Sequence, residues 1–208
     1  LNVNEYKPGF FEFDLKEWNK VTGHIRLAVP GYHNIYNALA MCAVCRFVGL
    51  TVEQCADAAL NFKGAGRRFE VYGECNGALV VDDYAHHPTE IAATLHAAAN
   101  YPHKTLWCVF QPHTYTRTKA FMKDFAKALS LADKVVLADI YAARETDTLG
   151  ISSETLQTEI RALGHECYYF PSFDEIENFL LENCINGDLL ITMGAGDVVK
   201  IGENLLGK

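Results

Sequence analysis

The stretch VVDDYAHHPTEI, Val80–Ile91, passes from an apolar run through a polar cluster to the start of a helix. Two carboxylates, a phenol and two imidazoles fall within the six residues 82–87. Pro88 suits the first turn of a helix and Glu90 suits its N3 position. The polar residues are therefore predicted to lie on a turn between a strand and a helix, where open α/β sheets bind their ligands.

The same order of strand, turn and helix repeats towards the C-terminus. Strands are predicted near residues 69–74, 78–82, 104–110, 134–139, 166–169 and 188–192, and helices near 88–99, 118–129, 152–162, 173–183 and 197–205. Alternation of β-rich runs with amphipathic helices is typical of a mostly parallel sheet with helices on both faces. The sequence predicts an α/β, Rossmann-like fold for this part of the chain.

The N-terminal region has a different pattern. Short strands are predicted around Phe10–Phe13 and Thr22–Leu27, with a turn near Asn19, and we expect that they do not make a sheet alone. A long helix, apolar on nearly every face, is predicted to be buried from about His33 to Val48.

A second helix is predicted from the cap-like Thr51, with Glu53 behind it, to about Asn61. The glycine-rich, basic segment KGAGRR, Lys63–Arg68, follows it. Such a segment marks a boundary. The predicted domains are therefore 1–65 and 66–208.

Composition excludes several classes of function. The 208 residues are 50% hydrophobic with a net charge of −8, and no run of Lys and Arg is present to bind nucleic acid. No apolar stretch approaches the ~20 residues of a membrane span, and the N-terminus does not resemble a signal peptide. We expect a cytoplasmic bacterial protein without a membrane partner. The seven cysteines, including Cys42 and Cys45 of a CxxC, are predicted to be reduced thiols that pack in cores.

Polar and aromatic residues also follow three other predicted strands. They are Gln111, His113, Tyr115 and Arg117 after WCVF, Asp139, Tyr141, Arg144 and Glu145 after VVL, and the glycine turn TMGAGD, Thr192–Asp197, after LLI. Because parallel strands end at one edge of a sheet, these loops and the turn after Val81 are expected to form one binding rim.

The turn at 83–87 allows two kinds of chemistry. A helix N-terminus and protonated imidazoles attract anions, and a carboxylate there can bind ribose hydroxyls. A zinc site is the competing interpretation, but adjacent His86 and His87 point apart, so it needs help from His113. We predict no metal site.

A second cluster lies in GYHNIYN, Gly31–Asn37. At a helix start, His33 and Asn37 share a face, as do Asn34 and Asn37, and paired amides on one face can hold a planar heterocycle. Helix capping explains two of the three side chains equally well.

Together these segments resemble the Mur ligases, ATP-dependent amide-forming enzymes of peptidoglycan synthesis. The strings that carry the resemblance are GYHN with NALA (31–34 and 37–40), GRRFE (66–70), DDYAHHPTE (82–90), FQPHTYTRT (110–118) and GAGD (194–197). They span nearly the whole chain. DDYAHHPTE and FQPHTYTRT are most similar to the branch that joins L-alanine to UDP-N-acetylmuramate, and a branch that recycles murein tripeptide carries a similar DD-aromatic-AHHP string and stays an alternative.

The resemblance implies how the chain binds ATP. Asn34 and Asn37 contact adenine, with His33 beside them, and Asp83 holds the ribose. Arg68 matches a linker arginine that reaches the γ-phosphate and serves in catalysis.

It also implies an acceptor site. Tyr84 and the catalytic His86 face the incoming amino acid, while His113 and Arg117 bind it, Arg117 through its carboxylate. Some members have an arginine directly after the histidine, where this chain has Thr114, so the carboxylate contact is expected to depend on Arg117 alone.

In the implied reaction ATP phosphorylates the muramate carboxylate, the amine attacks the acyl phosphate, and phosphate leaves. Phosphoryl transfer needs a phosphate-binding loop and Mg²⁺, but the sequence contains no GxxxxGK[ST]. In this family that loop, the Mg²⁺ ligands and the UDP-binding domain precede the matching region. We expect 1–65 to be the C-terminal tail of a P-loop ATPase-type central domain, 66–208 to be the C-terminal domain, and the chain alone to be inactive. Glycine and serine stay alternative acceptors, and a stand-alone Rossmann-type binding module stays the alternative class.

Overall fold

The computed structural model describes residues 2–146 and 149–208. The chain divides into two compact units, Leu1–Ala65 and Gly66–Lys208. Their assignment to the two domains that the resemblance implies stays a prediction. Within the described residues, no helix is both long enough and apolar enough to cross a membrane.

The first unit is an antiparallel sheet with two helices. Its strands β1 (Val3–Lys7), β2 (Phe10–Glu17) and β3 (Lys20–Arg26) pair in that order, and α1 (His33–Phe47) and α2 (Val52–Asn61) follow. The expectation that these strands make no sheet of their own is wrong.

A tight turn and an alternating pattern account for this sheet. Trp18 and Asn19 both have positive φ, which matches the twist of a two-residue hairpin between β2 and β3. Phe13, Leu15 and Ile25 point to one face and are buried in a core shared with the two helices.

The first helix is buried on one face only, which corrects the prediction of a helix buried nearly all round. Ile35, Ala38 and Cys42 are buried, whereas Phe47 is 91% exposed. Burial raises the pKa of Cys42 to about 11, so its thiol stays protonated and packs as an apolar group. Periodicity could not assign the covered face because apolar residues occur all round the helix.

The cap of α2 also differs in detail from the prediction. Thr51 accepts the N–H of Gln54 at 3.3 Å, and the Gln54 side chain accepts the N–H of Thr51 at 2.8 Å. Gln54, three residues after the cap, therefore completes the capping box in place of Glu53.

The second unit has a six-stranded sheet in the order β4-β5-β9-β6-β7-β8. Its strands are β4 (Glu70–Cys75), β5 (Ala78–Asp83), β6 (Leu106–Phe110), β7 (Lys134–Leu137), β8 (Glu166–Tyr169) and β9 (Leu189–Met193). Only the β4–β5 pair is antiparallel. The predicted mostly parallel α/β fold is confirmed.

Helices cover both faces of this sheet. They are α3 (Pro88–Ala98), α4 (Tyr115–Ala120), α5 (Met122–Leu129), α6 (Ser153–Ala162), α7 (Phe173–Asn183) and α8 (Val199–Leu205). Neighbouring strand residues enter opposite cores: Val81 packs with α3, α5 and α6, and Val80 packs with α7 and α8. Burial on both faces explains why the strands read as continuous apolar runs. The single helix predicted at 118–129 is two helices that meet at Phe121.

Candidate active site

Four strand ends form one edge of the sheet in the second unit. β5, β9, β6 and β7 are parallel neighbours, and Asp83 and Phe110 both pair with Met193, while Phe110 also pairs with Leu137. The four polar loops predicted from the sequence therefore emerge side by side, and we call this edge the rim. A parallel sheet places its binding crevice there.

An aromatic row crosses the rim from the loop after β5 to the loop after β7. It consists of Tyr84, His86, His113 and Tyr141, whose successive ring centroids lie 5.5, 6.0 and 5.4 Å apart. Tyr84 and His86, which were predicted to face the amino acid, therefore lie next to His113, which was predicted to bind it.

The ring of His86 is held by backbone and by a carboxylate. Its Nδ1 lies 3.0 Å from the carbonyl oxygen of Tyr84 and 3.6 Å from Oε2 of Glu90. When Nδ1 carries the hydrogen it donates to that carbonyl, so Nε2 keeps a lone pair as a proton acceptor. Burial acts to raise the pKa of Glu90, but bonds from the His86 and His87 N–H groups and the His86 charge outweigh it and lower the pKa.

The neighbouring His87 packs on α4–α5 and caps α3. Its ring packs on Phe121 with centroids 4.8 Å apart, and its Nδ1 accepts the N–H of Thr89 at 3.3 Å as the cap of α3. The two histidines thus point apart, as predicted. Residues 2–146 and 149–208 contain no group of three or more His, Cys, Asp or Glu side chains that could hold a metal ion.

Two of the predicted substrate residues carry buried polar atoms without partners. In the described part of the chain such atoms are His113 Nδ1, Arg117 Nη1 and Asp188 Oδ1. Burial, and then the charges of Arg117 and His86, lower the pKa of His113 and keep its imidazole neutral. An unpaired buried polar group costs about 1–3 kcal/mol unless water or a ligand pairs it, so two such groups mark the rim as a candidate site for a polar ligand.

Thr114, which follows His113 in the chain, has a strained conformation. Its φ of 67° with ψ of 143° is rare for a β-branched residue, and its N–H donates to the Tyr141 carbonyl at 2.9 Å. Such strain is concentrated at functional sites. In this structure Thr114 contributes its backbone N–H, which bonds to the loop after β7.

Arg67 is a residue that the sequence analysis missed. Its Nε lies 2.7 Å from Oδ2 of Asp82, which is fully buried, and its Nη2 donates to the carbonyl of Gly194 at 2.8 Å. Arg67 therefore joins the start of the second unit to the strand end and to the glycine turn. Asp82 is the feature of the sequence that could have indicated Arg67, because a carboxylate at the end of a buried strand needs a partner.

Arg68, by contrast, is exposed. Its guanidinium carbon lies 5.7 Å from the ring centroid of Tyr84, and that of Arg67 lies 5.0 Å from the same centroid. Of the two arginines, Arg68 is the one whose charge is accessible to a bound anion.

Asp83 is not presented to a ligand. Its side chain is buried, Oδ1 accepts the N–H of Ala85, and Oδ2 accepts the N–H of Phe69, both at 2.8 Å. Burial raises the pKa of Asp83, and these two bonds oppose the rise. The predicted ribose contact is therefore not supported by the position of this carboxylate, which fixes the loops on both sides of it.

We expect Asp83→Ala to lower the free energy of unfolding by roughly 1–3 kcal/mol, because two backbone N–H groups lose their acceptor. Urea unfolding of the 208-residue chain measures this loss. A ribose contact predicts a further effect in the active enzyme: under conditions where Asp83→Ala stays folded, it would also raise the KM for ATP, and an unchanged KM would leave Asp83 with its structural role alone.

The predicted adenine residues lie in the first unit beside a cavity of about 280 Å³. Its lining is Leu27, Val29, Asn34, Asn37, Ala38, Met41, Ala58, Ala59 and Phe62. Asn37 Nδ2 donates to Asn34 Oδ1 at 2.8 Å, and Asn34 Nδ2 donates to the Pro30 carbonyl at 2.7 Å. These bonds orient the Asn37 amide at the edge of an apolar cavity, whose size is near the lower end of the roughly 300–1,000 Å³ of ligand pockets.

His33 lies next to these amides in the chain but packs elsewhere. Its ring covers Gly31, where an added Cβ would lie 2.6 Å from the ring. Gly31 also has a positive φ of 98°, which favours glycine at this position. His33 is not among the residues that line the cavity.

Comparisons with known proteins agree on one family. Residues 67–196 match the model of the Mur ligase glutamate ligase domain. The chain is 58% identical over 207 residues to the UDP-N-acetylmuramate–L-alanine ligase of Lachnoclostridium phytofermentans, and 62% identical over 182 residues to that of Lachnospira eligens. These matches cover 100% and 88% of this chain but only 44% and 40% of the relatives, so the chain spans less than half of their length.

Solved structures give the same result. The UDP-N-acetylmuramate–alanine ligase of Thermotoga maritima superposes with a TM-score of 0.80 at 27% identity, covering 97% of this chain and 43% of that one. A murein peptide ligase of Psychrobacter arcticus superposes with a TM-score of 0.71 at 25% identity, covering 99% and 43%.

Proposed function

Because this chain belongs to the Mur ligase family, we propose that it is the acceptor-binding and nucleotide-binding part of a ligase that joins L-alanine to UDP-N-acetylmuramate at the expense of ATP. The observation that carries the proposal is the pair of unpartnered buried atoms at the rim, His113 Nδ1 and Arg117 Nη1. A free amino acid offers a carboxylate that pairs with an arginine in a charge-assisted bond.

The acceptor amine must lose a proton before it attacks. We assign this proton to Nε2 of His86, because Nδ1 is held at the Tyr84 carbonyl and Glu90 lies close enough to stabilise the imidazolium that forms. The amine nitrogen then bonds to the carbonyl carbon of the acyl phosphate, and the bond from that carbon to the phosphate oxygen breaks. The departing phosphate takes the second proton from the nitrogen, which leaves the amide with one N–H. Arg117 holds the acceptor carboxylate throughout.

The chain also offers groups for ATP. We propose that adenine enters the cavity beside Asn37, whose oriented amide can pair with the edge of the ring, while apolar residues cover its faces. Arg68 provides the exposed charge for the γ-phosphate. Mg²⁺ fits no cluster of the described residues, so no step is assigned to it here.

A ligation assay tests the function. The enzyme that contains this chain is incubated with ATP, Mg²⁺, UDP-N-acetylmuramate and one acceptor at a time: L-alanine, glycine, L-serine or murein tripeptide. We expect phosphate release and a ligated product of the right mass, with the highest kcat/KM for L-alanine. Preference for the tripeptide would assign the chain to the recycling branch, and ATP binding without any ligation would favour a binding module.

A further inference from the structure

Glu145, in the loop after β7, contacts the segment that carries Arg117. Its Oε2 accepts the N–H of Thr116 at 3.0 Å, and its Oε1 accepts the hydroxyl of the same residue. The two residues are 29 positions apart in the chain. One carboxylate thus receives both donors of Thr116 and ties the loop after β7 to the first turn of α4.

This contact replaces a cap that α4 lacks. Thr114, the residue before the helix, makes no side-chain cap bond and has the strained φ of 67°. The first N–H groups of a helix have no partner within it and need an acceptor from outside. Glu145 provides that acceptor for Thr116, and the hydrogen bonds from Thr116 lower the pKa of Glu145, so the carboxylate is ionised.

The position of Thr116 gives the contact a functional consequence. Arg117 is the next residue, and its buried Nη1 has no partner among the described residues. A guanidinium can hold a carboxylate through two bonds only if its backbone is fixed within a fraction of an ångström. α4 is six residues long and follows the strained Thr114, so the bonds from Thr116 to Glu145 add a constraint on its first turn that the helix does not provide itself.

We propose that Glu145 is a positioning residue for the acceptor amino acid, acting through Thr116 to hold Arg117 at the rim. This inference rests on the proposed function. Glu145 itself touches no reacting atom. Its effect is therefore expected in the binding of the amino acid and not in that of ATP.

The test measures steady-state kinetics of the active enzyme with Glu145→Ala and Glu145→Gln. We expect Glu145→Ala to raise the KM for L-alanine about 10-fold, with the KM for ATP within about twofold. Glu145→Gln keeps an oxygen that accepts one of the two bonds, so it should restore most of the affinity. The control is Glu154→Gln, which removes an exposed carboxylate from the first turn of α6, and it should leave both KM values unchanged.

The outcomes separate this inference from the proposed function. A wild-type enzyme that ligates no L-alanine overturns both. An enzyme that ligates L-alanine but shows equal changes in both KM values, or no change, with Glu145→Ala overturns the role of Glu145 alone. If Glu145→Ala does not fold, Thr116→Val takes its place, since it removes one donor and keeps the N–H. It should raise the KM for L-alanine about threefold, and an unchanged KM would refute the role.

Discussion

Replacing Arg117 by alanine in the active enzyme is expected to raise the KM for L-alanine by about 10- to 150-fold, and the KM for ATP by less than about twofold. The range follows from the loss of a hydrogen bond to a charged group, worth roughly 1.5–3 kcal/mol. Nη1 of Arg117 is buried and has no hydrogen-bond partner in the described structure. It is therefore free to donate to an anionic ligand. Initial rates at varied L-alanine and varied ATP measure the two constants.

Two further variants make this result specific. Arg117→Lys keeps the charge but loses the planar fork, so it should recover only part of the affinity. Lys123→Ala removes an exposed cation from the first turn of α5 and should change neither constant. Equal increases in both KM values with Arg117→Ala would remove Arg117 from the acceptor site.

The sheet of the second unit could be predicted because its strands obey a simple physical rule. Val80 and Val81 enter cores on opposite faces of the sheet, so both are apolar and each strand is an unbroken apolar run. The loop that follows each strand is polar. The order of parallel strands then places those polar groups at one edge. His86, His113 and the Arg117 segment were found in this way, without knowledge of any side-chain contact.

The inward or outward direction of single side chains could not be predicted. Asp82 and Asp83 are both buried, with different partners, and of the two adjacent arginines Arg67 pairs with Asp82 while Arg68 is exposed. Arg67 has a positive φ of 57°, a conformation that residue type does not reveal for arginine. The assignment of Asp83 to a ribose came from resemblance, and the carboxylate's two backbone partners became visible only in the fold.

In the first unit, the buried face of α1 and the strand β1 could not be predicted from the sequence either. α1 carries apolar residues on all sides, and the sequence cannot say which of them meet another element. Strand β1, VNEYK, was not predicted because it is mostly polar and has no buried residue. Its partners in β2 supply the buried face, so its place in the sheet depends on pairing and not on its own pattern.

The adjacent pair Arg67 and Arg68 gives the largest expected effect on stability. Arg67→Ala should lower the free energy of unfolding of the second unit by about 3 kcal/mol, because it leaves the fully buried Asp82 without its charged partner. The lower end of the usual 3–5 kcal/mol is appropriate, since the Arg67 side chain is 23% exposed. Arg68→Ala should change stability by less than about 0.5 kcal/mol and instead lower kcat for ligation.

The pH dependence of this loss identifies its cause. Burial already raises the pKa of Asp82, while the hydrogen bond and charge of Arg67 oppose the rise. Without Arg67 the folded-state pKa rises further above the unfolded value of about 3.9, so the folded variant binds a proton that the unfolded chain has released. Stability of Arg67→Ala should therefore increase as the pH falls through that raised pKa, and its deficit against the wild type should shrink. Urea unfolding of wild type, Arg67→Ala and Arg68→Ala at several pH values between about 4 and 8 measures both effects. A deficit that stays constant over this range would mean that Arg67 stabilises the unit through its bonds to the glycine turn and not through Asp82.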